Sequence, residues 1–240
     1  MRHSITILLL SALAVVAASP TLPPRACTTI WPESLYSLAT TFPNNTYYRQ
    51  APALVVDNTG GLFVGPDPAD DMNFPHPTLR IYRVPDSESN TQFNLQYVEF
   101  AVPAGSNTCQ LGITDEGNQL YSQDSQDASA ASASLNILSL FPNSIIDSPT
   151  YYNVMNAAPS VISSSRWGTV KLVRGKGPWI INGFTCPPAS DGQNGYAQFV
   201  IEFDPDQAGT GYHNLALPQQ VPAGDSAGIQ PLSGVFLTYC

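Results

Sequence analysis

Ser226 stands in Gly224-Asp225-Ser226-Ala227-Gly228, the Gly-x-Ser-x-Gly spacing that lifts a nucleophilic hydroxyl on a strand-to-helix turn in serine hydrolases. Acyl transfer there needs a strand before the serine, a helix after it, and an acid and a histidine further along. Pro218 and Pro222 break up the approach, and no histidine follows Gly228. The opposite order, with His76 or His213 upstream, leaves too little chain to finish a barrel around Ser226. The motif is therefore expected to be a glycine-rich turn, with a serine hydrolase at Ser226 kept as the third reading.

His76 in Phe74-Pro75-His76-Pro77 and His213 in Gly211-Tyr212-His213-Asn214 are the histidines beyond the amino-terminal leader. Either could serve as a general base, but their turn-like settings suit structural or surface residues, and no third ligand is spaced for zinc. Glu99 and Glu202 fall in β-type runs, and Glu202 and Asp204, two residues apart on a strand, would share a face. Such carboxylates could hydrolyse a glycosidic bond; the plainer expectation is solvated faces of outer strands. Asp67, Asp70, Asp71, Asp204 and Asp206 lack a calcium-loop pattern. Trp31, Trp167 and Trp179 could stack on sugar rings or fill a core. No catalytic residue, cofactor or metal site is assigned.

The elements that would hold these groups are β-strands. Runs of β-branched and aromatic residues, separated by Gly, Pro, Asn and Asp, cover 54–56, 61–64, 79–84, 93–102, 110–113, 135–140, 169–173, 179–184, 196–203 and 235–239. In Phe93-Asn94-Leu95-Gln96-Tyr97 apolar and polar residues alternate, predicting one buried and one wetted face. About ten such runs predict an all-β fold, a two-sheet antiparallel β-sandwich with a short N-terminal extension and little helix. The sandwich domain is placed at 54–240 and the Pro-rich extension at 19–53, where Pro32 suits the first turn of a short helix over 32–38. The Ser- and Ala-rich stretch 122–134 reads as a loop or insertion whose alanines also suit a surface helix.

Met1-Arg2-His3 followed by an apolar run to Val16, with small residues Ala17 and Ala18, has the form of a secretory leader, residues 1–18, cleaved after Ala18. The carboxyl end shows no hydrophobic tail of the glycolipid-anchor type, so release rather than membrane anchoring is expected. In an oxidising compartment the four cysteines, Cys27, Cys109, Cys186 and Cys240, make two disulfides. Of three pairings, Cys27 with Cys240 and Cys109 with Cys186 is preferred, because it joins the chain ends and staples two strands. Asn44-Asn45-Thr46 is a glycosylation acceptor at Asn44, while the rarer form at Asn107 competes with a disulfide at Cys109. The formal charge is −9, and Lys171 and Lys176 are the only lysines. That balance disfavours nucleic acid, whose phosphates need clustered Lys and Arg.

Several blocks in order resemble a fungal family: Phe74-Pro75-His76; Phe100 to Leu111; Thr150-Tyr151-Tyr152-Asn153 with Ala158-Pro159-Ser160-Val161; Gly183-Phe184-Thr185-Cys186-Pro187; and Pro231 to Cys240. Together they make residues 74–240 similar to the C-terminal domain named after the But-two protein, a binder of the Uba-three subunit of a ubiquitin-like activating enzyme. The resemblance implies a β-rich domain of secreted or wall-associated fungal proteins and supplies no catalytic residues. A cytosolic activating enzyme is not carried over as a partner, since the leader sends this chain elsewhere. The expected role is a non-catalytic structural or interaction protein of the fungal cell wall or extracellular space, with wall glycans or extracellular proteins as partners. The alternative is a carbohydrate-binding module or a weak glycan-active enzyme using Glu99 or Glu202.

Overall fold

The structure, a computed structural model, describes residues 27–48, 53–56, 62–65, 78–84, 91–124, 132–144, 146–189, 192–206, 213–219 and 233–240. Within them the chain is nearly all strand. In order these are β1 (Thr28–Ile30), β2 (Ser34–Ala39), β3 (Tyr47–Tyr48), β4 (Ala53–Val56), β5 (Leu62–Gly65), β6 (Thr78–Val84), β7 (Gln92–Val102), β8 (Thr108–Asp115), β9 (Tyr121–Asp124) and β10 (Ser132–Leu140). A short helix, α1 (Tyr151–Met155), precedes β11 (Ile162–Val173), β12 (Trp179–Thr185), β13 (Gly195–Phe203), β14 (His213–Pro218) and β15 (Ser233–Tyr239). All pairings are antiparallel.

Two sheets face each other. The smaller runs β1-β15-β8-β12; the larger runs β11-β10-β13-β7-β6-β14-β9, with β2 also on β7 and β3 on β2. β4 and β5 pair with each other. The core between the sheets takes Leu111 and Ile113 from β8 and Val235 and Leu237 from β15, against Val98, Phe100, Ile137, Phe199, Ile201, Ile81 and Leu215 of the larger sheet. A second apolar cluster lies on the other face of the larger sheet, where Leu38, Leu95, Tyr97, Leu138 and Val200 meet Val154 of α1. β7 serves both: alternate residues Val98, Phe100 and Val102 enter the first cluster, Leu95 and Tyr97 the second. The segment from β10 to β11 crosses this outer face, and Tyr152 donates its backbone N–H to Pro43 O at 2.8 Å, docking α1 on the loop after β2.

The all-β expectation holds, and four particulars differ. Residues 34–39 are strand β2, not helix, paired with β7 from Ser34–Glu99 to Ala39–Asn94. Leu35 enters one cluster and Leu38 the other, so this strand is covered on both faces and its leucines fall three apart, which imitates helical spacing. β1 and β2 each belong to one of the two sheets, so 28–39 is part of the sandwich and not an extension. The polar face of β7 is not wetted either: Asn94 and Gln96 are buried. Asn94 Nδ2 donates to Arg80 O at 2.7 Å, and Gln96 Oε1 accepts from Arg80 N at 3.2 Å. The two amides join β6 to β7 beyond the last ladder pair, Tyr82–Asn94. The stretch 122–134 is strand at both ends, in β9 and β10.

Cys27 bonds Cys240 and Cys109 bonds Cys186. Both bridges serve the smaller sheet, one tying β1 to the end of β15, the other tying β8 to the residue just past β12. They pin its two edge strands. Gly112, opposite Phe236 in the β8–β15 register, leaves the space that the Phe236 ring fills: a Cβ there would lie 2.4 Å from the ring. Among the described residues no helix is long and apolar enough to cross a membrane.

Candidate functional site

Ser226 and the whole Gly224 to Gly228 motif lie outside the described residues, as do His76, Asp67, Asp70 and Asp71. His213 opens β14 and is buried, its ring 5.4 Å from that of Phe203. Asp204 and Asp206 both hold Arg166, at 3.0 and 2.6 Å, which occupies oxygens that a cation would need. Asn44 is exposed in the turn after β2, accessible as a glycan acceptor.

Glu99 and Glu202 sit on the same outer face of two adjacent interior strands, β7 and β13, and not on solvated edge strands. Glu99 Oε2 accepts from Tyr97 Oη at 2.9 Å and from Gln198 Nε2 at 3.0 Å. Burial, and then the charge of Glu99, push the Tyr97 hydroxyl well above the ordinary tyrosine range, so Tyr97 stays a proton donor. Glu202 Oε1 accepts from Asn136 Nδ2 at 2.7 Å, its register partner on β10. Burial raises the Glu202 carboxyl, and Asp204 adds to the rise, while the bond from Asn136 works against it. Glu99 lies opposite Gln198, four residues along β13 from Glu202, which separates the two carboxylates by about 14 Å of strand. Glycosidic hydrolysis uses pairs about 5–9.5 Å apart, so Glu99 and Glu202 do not form one. Glu202 and Asp204 are closer, but each is already bound, to Asn136 and Arg166.

The feature that can take a ligand lies elsewhere, at the corner where the edge strands β11 and β12 meet. β10 and β11 lose register between Ile137 and Leu140, and the gap opens as a cleft of about 220 Å³. Its apolar wall is Trp167, Phe184 and Phe199, with Trp167 5.4 Å from Phe184 and 5.0 Å from Phe199. The hydroxyls of Ser139 and Ser163 lie on the other side, while Gln198 borders the cleft between Ala197 and Phe199 with its side chain turned to Glu99 and Ser144 on the outer face. Phe141, in the turn beside the lining residues Leu140 and Pro142, is 53% exposed. The corner is closed behind the cleft by Asn182 Nδ2, which donates to Trp167 O at 2.8 Å, and by Ile181 packed on Gly168.

Of the three tryptophans, Trp167 alone lines this cleft. Trp31 meets Phe236 at 6.1 Å, and Trp179 packs against the core, so the three do not form one platform. Ser139 and Ser163 escaped sequence reasoning because a lone Ser has no signature; only the fold brings them together. Asp115 escaped likewise. It is buried, and its carboxylate accepts from the backbone N–H groups of Gln119, Leu120 and Gly175 at 2.7, 3.0 and 2.9 Å, locking two turns together.

No protein-family model matches the chain, and no curated protein matches it.

Proposed function

We propose that the chain is an exported, non-catalytic β-sandwich with a structural or interaction role in the extracellular space or cell wall, of the kind that its resemblance to the But-two C-terminal domain implies. The observation that carries this reading is that all four cysteines are spent on bridges pinning both edges of one sheet. A fold braced in this way suits an oxidising compartment, which is where the leader pattern of residues 1–18 would deliver it. The non-catalytic part is supported by the described acids: Glu99, Asp204 and Glu202 each satisfy a neighbouring side chain within the sheet.

The test is expression of the full chain in a secreting eukaryotic host, followed by intact mass and N-terminal sequencing. The product is expected in the medium, beginning at Ser19, without free thiols, with a glycan on Asn44 and with no fluorophosphonate label on Ser226. Recovery of uncleaved chain from the cytosol with four free thiols would overturn the proposal, and labelling of Ser226 would restore the hydrolase reading. A second reading, recognition of a neutral glycan, is favoured by the aromatic wall at Trp167.

A further inference from the structure

The side chain that closes the β11–β12 corner, Asn182, stands directly before a glycine. The chain has two Asn-Gly pairs, Asn182-Gly183 and Asn194-Gly195. β12 is the edge strand of the smaller sheet, held by β8 on one side, and its ladder slips between Ile180 and Asn182. Beyond the slip the Gly183 N–H is turned to the side chain that precedes it, donating to Asn182 Oδ1 at 2.9 Å. Asn182 Nδ2 donates in turn to Trp167 O at 2.8 Å. Both residues of the pair are exposed, so water reaches them. A backbone nitrogen within hydrogen-bond distance of the carboxamide needs only a turn of that side chain to meet Cγ, and glycine puts no side chain in its way. The second pair is set differently: Gly195 is buried, and a Cβ on it would stand 2.6 Å from Pro187 O, so its backbone is walled in.

We propose that Asn182-Gly183 is a self-modifying site, at which the chain deamidates and in doing so unlocks the β11–β12 corner. Gly183 N gives its proton to solvent and bonds to Asn182 Cγ; the Cγ–Nδ2 bond breaks, and Nδ2 leaves as ammonia with a proton taken from solvent. Water then opens the succinimide ring at either of its carbonyls. Opening at Cγ gives aspartate with the main chain restored, and opening at the main-chain carbonyl gives isoaspartate, which lengthens the backbone of β12. In each product a carboxylate replaces the group that donated to Trp167 O. An ionised carboxylate only accepts, so at neutral pH the Trp167 carbonyl loses its donor and meets a second acceptor. The lost bond is the one that closes the corner behind the cleft, so the change is one-way and its effect is local. It needs neither export nor a partner.

The test is to age the folded full-length protein in mildly alkaline buffer and follow it by peptide mapping with mass spectrometry. Aspartate and isoaspartate are expected to accumulate at position 182, with ammonia released in step. Gly183→Ala should slow this by about tenfold or more, because a methyl group hinders the attacking nitrogen; a Cβ there meets nothing nearer than 3.8 Å, so the variant keeps the fold. Asn182→Asp reproduces one product, and hydrogen exchange should then be faster in β11 and β12 and unchanged in β7 and β13. If Asn182 stays intact in the folded protein while it converts in the urea-unfolded chain, the fold shields the pair and the proposal fails. Conversion at Asn194 with Asn182 intact sinks it equally, as does an unaltered rate in Gly183→Ala. Exchange in Asn182→Asp that matches the parent at the corner would remove the unlocking step.

Discussion

Burial of a single carboxyl on the larger sheet has a consequence that can be read in stability. Glu202 has its pKa raised, chiefly by burial, so the folded state holds its proton more tightly than the unfolded chain does. Below the unfolded pKa both states are protonated and the side chain costs nothing. As pH climbs from there through the higher folded value, the unfolded state ionises first, and the fold loses stability. Glu202→Gln keeps an oxygen to accept from Asn136 Nδ2 and removes the ionisation. Thermal unfolding should show the variant melting above the parent at pH 7 and together with it at pH 3. Equal melting at both values would mean that ionised Glu202 suffers no burial penalty. The neighbouring Tyr151 hydroxyl is also raised, by its own burial and then by Glu202, so it is neutral at pH 7 and adds nothing to the difference between variant and parent.

Strands were legible where β-branched and aromatic residues are dense, and β6, β7, β13 and β15 were located within a few residues. β2 and β14 were not, because Tyr36 is the one such residue in β2 and β14 has none. In β14, Asn214, Ala216 and Pro218 also weaken the β signal, and pairing to β6 and β9 decides its conformation. Helix α1 is capped by Thr150 and Asn153, a variant of the Ser/Thr-x-x-Glu box too generic to stand out in a loop. Of the candidate site, Trp167 was visible as a residue type; its polar partners were not, since their role comes from a register shift that no local pattern announces. The cysteine pairing fits the chain ends as expected, and its geometry suggests an ordered reduction. Cys27 is exposed, whereas Cys109 and Cys186 are buried in the core. Thiolate attack requires access, so mild dithiothreitol on the folded protein should open Cys27–Cys240 while Cys109–Cys186 persists. Mass spectrometry after alkylation reads this directly, and simultaneous opening of both would show that reduction waits for global unfolding. Loss of the 213-residue closure should then lower stability by about 2–5 kcal/mol.

On the scale of the whole molecule, side-chain amides make several of the joins where the main-chain ladders stop. Asn94 and Gln96 attach β6 to β7, and Asn182 attaches β12 to β11. Asn143 Oδ1 accepts from Tyr196 N at 2.7 Å, while its Nδ2 donates to Pro188 O. At the opposite corner from the cleft, Gln219, wholly buried just after β14, donates from Nε2 to Val235 O at 2.9 Å and accepts at Oε1 from Val235 N at 2.8 Å. This is the pairing that a neighbouring strand would give Val235, and here one side chain supplies it, linking the larger sheet to the smaller. Gly234 makes room for it: a Cβ there would stand 2.6 Å from Gln219 Oε1, and its φ of +108° is one that other residues rarely adopt. If this join closes the sandwich, Gln219→Leu leaves the buried N–H and C=O of Val235 without partners. At about 1–3 kcal/mol for each group, the variant should lose about 2–6 kcal/mol in denaturant unfolding. Hydrogen exchange separates this from a simple loss of packing. The Val235 amide should exchange much faster in the variant, while the amides of β10 and β13 keep their ranking. A Val235 amide as protected as in the parent would show that the corner is held by packing and not by the Gln219 amide.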